Sequence, residues 1–483
     1  MRKMMIALGL ALLLSGSAVM AASESDMQAQ IDSLQAQLNE LKAQQAKSDT
    51  DQRTAELLNE LAANPNQQAQ NTGITAGYDQ RFFIRSADDS FSLNFDTLGQ
   101  IRYSYARSDD GNDDLLQDGT REDPFVPTRG IDPDNSAFEL ERARVTLIGH
   151  VLKDLEYLIT LEGDSDRGES GDFVYEYWVR YPFMKELGVG AGKVKMPFGK
   201  QNPNSSSGLM LVDRSLADTV FNIDRSTGAE IYGTLDFGDV AQPFYRLGVY
   251  NGFRNNERVP FEENDNSPAL AARLAVPLGG ATVNQFQNES DIENHENMVA
   301  MIGGSAAYTD DTVENNAAGG DGRSYTFLAK DLTTDRTRPF LMGGKAFLLG
   351  ADASLKYAGL SVTGEGFAQF INTDAQDLDP TDAAVLNGRN FDNYGWYVQA
   401  GYFIVPKTFE LAGRVGGVVV DDSQDAYEYA GGWNWYLSKS QDLKLSMDLT
   451  YIDHLPMQST TTNYYGVQGE SLWLLRSQLQ FMF

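Results

Sequence analysis

From Tyr78 onward the chain alternates. In its last segment Trp473, Leu475, Leu479, Phe481 and Phe483 share one parity, and Arg476, Gln478 and Gln480 share the other. A period of two marks a strand with one apolar face and one wet face. The same pattern fills WYVQAGYFI, where Trp396, Val398, Ala400, Tyr402 and Ile404 fall together. In YAGGWNWYL, Tyr429, Trp433, Trp435 and Leu437 oppose Asn434, and in LKLSMDLTY, Leu443, Leu445, Met447, Leu449 and Tyr451 oppose Lys444, Ser446, Asp448 and Thr450. The alternation predicts sixteen strands, near 91–107, 138–151, 155–166, 172–182, 187–196, 226–237, 243–251, 268–277, 297–310, 344–357, 360–371, 393–404, 407–420, 426–437, 441–452 and 469–483.

The connections sort by parity. Those after odd-numbered strands (108–137, 167–171, 197–225, 252–267, 311–343, 372–392, 421–425, 453–468) are mostly long, acidic and rich in Gly, Asn and Ser. Those after even-numbered strands are mostly tight, such as KDL, PFMKEL, AG and VPK, with 278–296 the exception. A soluble sandwich has no reason to sort its loops this way. An outer-membrane barrel has one, and in a bilayer a sheet must close on itself to satisfy its backbone. The expected fold is all-β: a 16-stranded antiparallel transmembrane β-barrel over residues 78–483, preceded by a short N-terminal coiled-coil helix. Its apolar face meets outer-membrane lipid, its polar face lines a watery lumen, and the short turns face the periplasm.

Ahead of the barrel, Arg2 and Lys3 precede an apolar run and then small residues, with Val19 and Ala21 at the −3 and −1 positions of a cleavage site. Residues 1–21 read as a signal peptide, too short at their apolar centre for a comfortable span. Met27, Ile31, Leu34, Leu38 and Leu41 are spaced 4, 3, 4, 3, an a/d seam over 22–48. So short a seam makes sense if something downstream gathers several copies; a lone amphipathic helix is the plainer alternative. Residues 49–77 read as a linker.

A formal net charge of −30 argues against nucleic acid as a partner. The absence of cysteine excludes thiolate metal sites, catalytic thiols and lipid attachment through cysteine. The three histidines, His150, His295 and His454, form no recognisable triad or metal motif, and no phosphate-binding or dinucleotide fingerprint occurs. Neither an enzyme nor a cofactor or metal is expected.

Several stretches resemble the phosphate-selective porins O and P: YDQRFFIRSADDSFSLNFDTLGQIRY, LERARVTLIGHVLKDLEYLI, GAGKVKMPFGKQ, DRSTGAEIYG and GWYVQAGYFIVPKTFELAGRV. The resemblance spans roughly 77–483, with a poor match in 279–344. It implies a homotrimeric outer-membrane channel of a Gram-negative-type bacterium, with a third external loop folded inward and inward arginines and lysines that select anions. The loop 197–225 is third in order and long, so it is the expected constriction.

Parity places Arg102, Arg142, Arg144, Arg180, Lys193, Lys195, Arg246, Arg273, Arg414 and Arg476 inside, and Arg214 and Arg225 lie on or beside the third loop. These twelve are the candidate solute-binding residues, because a guanidinium fork suits phosphate and carboxylate oxygens. The same parity puts Glu156, Glu162, Asp164, Glu176, Glu230, Asp236, Asp352, Glu365, Glu410 and Asp448 inside, so ion pairs that stiffen the wall are the competing reading. Acidic external loops, such as that holding Asp109, Asp110, Asp113 and Asp114, suit a surface facing lipopolysaccharide. The expected function is a trimeric porin for passive diffusion of small hydrophilic solutes, anions such as phosphate foremost. A general porin, or a barrel anchor touching the cell wall through the coiled coil, are the alternatives.

Overall fold

The computed structural model describes residues 73–108, 134–163, 174–238, 241–253, 268–311, 326–330, 337–341, 344–372, 390–421, 424–456 and 471–483. The expected signal peptide, the coiled coil, nearly all of the linker and the Asp109–Asp114 loop lie outside these residues. Among the described residues twenty strands occur: β1 (Ile74–Asp79), β2 (Arg81–Ser86), β3 (Phe91–Ser108), β4 (Asp134–Val151), β5 (Leu155–Glu162), β6 (Val174–Met184) and β7 (Leu187–Lys195). Next come β8 (Arg225–Thr234), β9 (Phe244–Tyr250), β10 (Ala269–Leu278), β11 (Val299–Asp311), β12 (Thr326–Lys330), β13 (Thr337–Leu341) and β14 (Gly344–Tyr357). The last are β15 (Leu360–Asn372), β16 (Asn390–Val405), β17 (Phe409–Val419), β18 (Ala426–Tyr436), β19 (Leu443–Asp453) and β20 (Leu472–Met482).

Sixteen of these, β3–β11 and β14–β20, pair in sequence as one antiparallel ladder. It closes where β20 pairs with β3, from Leu472↔Ser108 to Met482↔Leu98. Closure leaves no free edge, the condition the bilayer imposes. Below that seam β2 takes the place of β20 beside β3, pairing Phe82↔Phe95 and Arg85↔Ser92, and β1 folds back on β2. β12 and β13 form a separate two-stranded hairpin in the β11–β14 connection.

The alternation read from the sequence is the in–out alternation of the wall. On β16, Trp396, Val398, Tyr402 and Ile404 are exposed while Tyr397, Gln399 and Phe403 are buried. Outward aromatics gather in two belts, as interfacial anchoring requires. Tyr429 stacks on Tyr451 and Trp473 lies tilted against Tyr451 near the external ends of β18–β20, and Phe409 stacks on Trp433 near the periplasmic ends.

The interior is not uniformly polar. Toward the external ends, inward residues including Ala106, Leu348, Phe367, Ile371, Phe391, Val418, Ile452, Leu472 and Leu474 form one apolar cluster. A water-filled tube would leave these side chains wet. They are dry because the third external loop is packed against them.

Candidate functional site

The loop 196–224, between β7 and β8, turns into the barrel. It carries the helix α1 (Leu216–Phe221), capped by Ser215, whose side chain accepts from Asp218 N–H. Leu216, Ala217, Val220 and Phe221 face the apolar cluster, and the Phe221 ring stacks on Phe367 at 5.6 Å. Each such burial contributes about 1.5–3 kcal/mol, so the loop is held as part of a core.

Polar groups of the wall satisfy the loop's backbone. Asp448 accepts from Val212 N–H at 3.0 Å, Glu428 from Leu216 N–H at 2.9 Å, and Glu365 from Lys200 and Gln201 N–H. Lys444 donates to the carbonyls of Ser207 and Leu209, and Arg414 to those of Asp213 and Arg214. Asp213 reaches back into the wall, where Arg102 donates to its carboxylate at 3.1 Å and Arg142 and Arg476 stand 3.9 Å away. Burial alone would raise the Asp213 pKa; the guanidiniums of Arg102, Arg142, Arg476 and Arg214 outweigh it and hold the carboxyl well below the usual range. Glu141 closes the lattice, 3.2 Å from Arg102 and 3.0 Å from Arg142. It is the extra residue of a bulge in β4, since Gln100 pairs Arg142 and Ile101 pairs Leu140. The buried arginines Arg102, Arg142, Arg414 and Arg476 thus face as many buried carboxylates, Glu141, Asp213, Glu428 and Asp448.

The 279–298 turn, entering from the periplasmic end, meets this loop inside the barrel. Glu289 N–H donates to Gly208 O at 2.9 Å, and the Glu289 carboxylate accepts from Met210 N–H and the Gln201 side chain. Lys356 on β14 donates to the carbonyls of Gln285, Asn288 and Ser290. The turn that broke the tight-turn rule in the sequence is therefore a second inward-folded element.

Loop and turn cover the wall of β14–β20 and β3. The opposite wall, β5–β9 together with Arg144 of β4, keeps side-chain surface in the lumen. There Glu230 takes both Arg180 (2.7 Å) and Arg246 (2.6 Å). Arg144 forks onto Glu162 and reaches Ser206 on the loop. The arginines stand forward of their acids: Arg180 and Arg246 side chains are 22% and 14% exposed against 2% for Glu230, and Arg144 12% against 6% for Glu162. Arg225, at the loop's exit, is the reverse, 4% against 18% for Glu176. Lys195 Nζ donates to the loop carbonyls of Asn202 and Asn204, and Arg214 shares the latter.

The expected solute-binding residues therefore divide. Arg102, Arg142, Arg414 and Arg476 are enclosed beneath the loop. Arg144, Arg180, Arg246 and Arg214 keep surface in the lumen, and so does Arg273, paired to Asp352 at 2.6 Å. Lys195 and Arg225 hold the loop's two ends, and Lys193 is buried in β7 opposite Tyr177 and Thr227. Parity reading passed over the inward rings Tyr175, Trp178 and Tyr232, and the inward glycines of GVGAG. Among the described residues, no cluster of three or more His, Asp or Glu could hold a metal ion.

Comparison with known proteins gives three results. The family model described as phosphate-selective porin O and P matches residues 125–483. No curated protein matches in sequence. Among solved structures, the anion-selective porin from Comamonas acidovorans aligns with 81% of this chain and 100% of its own at TM-score 0.50 and 13% identity. The outer membrane channel DcaP of Acinetobacter baumannii aligns with 84% of this chain and 100% of its own at TM-score 0.44 and 11% identity. At such identities the first likeness shows the fold alone.

Proposed function

The chain belongs to the phosphate-selective porin O and P family, and from that premise we propose that it passes small hydrophilic anions, phosphate among them, by passive diffusion. Family and fold make it an outer-membrane porin. The finer reading rests on one observation: along the open wall the guanidiniums of Arg144, Arg180 and Arg246 stand toward the lumen with their carboxylates tucked behind. A passing solute meets the nearer sign first, and low-dielectric walls focus that field. Because each cation is already paired, each site binds weakly, as a channel needs.

The working form is a homotrimer exported by the signal peptide of residues 1–21, set in lipid and lipopolysaccharide, with the 22–48 seam joining three copies and available to touch the cell wall. The Met27–Leu41 spacing supports this part. A general, weakly selective porin is the second reading, favoured by Arg225, whose partner Glu176 is the more exposed of the two. Reversal potentials of single channels in a tenfold KCl gradient separate them. Potentials on the chloride side support the proposal, values near zero the general porin, and values on the potassium side contradict both the anion preference and its structural basis.

A further inference from the structure

The open wall is unusual in how its side chains lie. On β7 the inward positions are Gly188, Gly190 and Gly192, opposite Tyr232, Arg180 and Trp178 in the register. A Cβ at Gly188 would meet the Tyr232 ring at 2.5 Å and one at Gly190 would meet Arg180 Cγ at 2.9 Å, whereas one at Gly192, at φ +143°, would run into the Tyr177 carbonyl oxygen of the β6 backbone. The floor of Gly188 and Gly190 lets Tyr232 and Arg180 lie flat along the wall where they would otherwise project across the lumen, and Trp178 lies beside them. Laid flat, they stack: the Arg180 guanidinium sits 4.2 Å from the Trp178 ring and 5.3 Å from the Tyr232 ring. Nearer the external end Arg144 lies 4.2 Å over Tyr175, whose other contact is Arg225 at 3.9 Å. Following the strands inward, a solute passes Tyr175, Trp178, Arg180 and Tyr232 in turn.

We infer that this wall is a stacking track for organic carboxylates that carry a planar apolar body, and that it favours them over compact inorganic anions. The inference rests on the proposed anion channel and names the class of anion. A guanidinium lying on a ring is weakly hydrated out of plane, and Arg180, whose Nε and Nη2 donate to Glu230, still has its in-plane Nη1 N–H groups to offer a solute carboxylate. The adjoining ring offers an apolar face to the rest of the solute. An aromatic carboxylate uses both surfaces at once. Acetate uses the N–H groups alone, and phosphate gives up a tight hydration shell for them. Simple anion selection needs only the charges; it gives no reason for inward Trp and Tyr beside them or for the glycines beneath Tyr232 and Arg180.

The test uses the full chain reconstituted in planar bilayers, with sodium benzoate, acetate and phosphate added at constant ionic strength to KCl. The readout is the concentration of each that halves the single-channel current. Benzoate is expected to act at about tenfold lower concentration than acetate, and below phosphate. Trp178→Leu, which keeps an apolar side chain but removes the ring, and Tyr232→Leu are each expected to cut the benzoate-to-acetate ratio about threefold or more. Equal action of benzoate and acetate, or phosphate acting lowest, overturns the inference on the unmodified protein alone, whether or not the variants assemble. The KCl reversal potential keeps the two readings apart: a chloride-preferring channel blind to the benzoate ring sinks only the stacking track, whereas a potassium-preferring channel sinks the anion reading beneath it.

Discussion

Two walls of one barrel use the same chemistry to opposite ends. Under the loop and turn, Arg414 and Glu428 pair at 2.7 Å with both side chains fully buried. Across the lumen Arg180 and Glu230 pair at the same 2.7 Å, but the arginine keeps a fifth of its surface. The first pair belongs to a balanced lattice that pins loop backbone to wall. The second is a cation held at the edge of water by an acid it half conceals. What separates a staple from a solute contact is therefore what lies above the pair, and neither residue type nor distance reveals it.

The contrast can be broken most severely on the covered wall. Arg414→Met leaves Glu428 buried without its cation and is expected to destabilise the barrel by about 3–5 kcal/mol. Urea unfolding followed by tryptophan fluorescence would read this, and adding Glu428→Leu should restore only the part due to the unpaired charge, because Leu216 N–H then loses its acceptor. The matching change on the open wall, Arg246→Met, should cost clearly less, because Glu230 keeps Arg180 as a cation partner. A similar loss for both would erase the distinction.

Selectivity should show the reverse order. Arg180→Gln with Arg246→Gln uncovers the Glu230 carboxylate toward the lumen and should lower the chloride-to-potassium permeability ratio about threefold or more. Reversal potentials check this. A smaller effect is expected at the glycine floor. In Gly190→Val the added carbons displace the flexible Arg180 stem into the lumen, and single-channel conductance should fall by less than about twofold.

The smallest effect concerns Asp218 in α1. Burial pushes its pKa up to about 6, against the pull of Arg214 and of the Asn202 N–H it accepts from. An unfolded carboxylate titrates near 3.9, so between about pH 4 and 6 the folded chain holds a proton that the unfolded chain lacks. Loop docking should strengthen as pH falls from 7 through 6, by about 1 kcal/mol at pH 5, and the gain continues until about pH 4. Asp213, held low, acts in the opposite sense at still lower pH. Unfolding midpoints at pH 7 and 5, with and without Asp218→Asn, would show the difference.

The strands were legible because a wall with lipid on one side and polar groups on the other must alternate; all sixteen segments fall within a few residues of their expected places. The direction of Gln480 and Arg476 on β20 followed from period two alone. Where the pleat slips, that logic stops. Glu141 enters the buried lattice through a bulge, and Tyr175 is the extra residue where Thr160 pairs Glu176 but Leu161 pairs Val174. Gly192, at φ +143°, adopts a backbone that parity does not foresee. The loop's inward fold was expected from its length and the resemblance, but its docking wall was not. That choice depends on inward Leu472 and Leu474, which sit in an unbroken apolar run with Trp473 and so hide the inner face that needs covering. The burial of Glu289 and Asp291 was illegible for a related reason: polar residues of the 279–298 turn are enclosed only because the loop meets them.

The absence of cysteine gives the account its most direct test. Single cysteines would be placed at Arg180 and Arg246 on the open wall and at Gln478 and Thr450 beneath the loop, then exposed to a small anionic thiosulfonate during single-channel recording. The first two are expected to react from the aqueous phase and lower the current, while the second two stay unmodified. Rapid reaction at Gln478→Cys and Thr450→Cys, with Arg180→Cys and Arg246→Cys inert, would place the permeation path on the other wall and contradict the account.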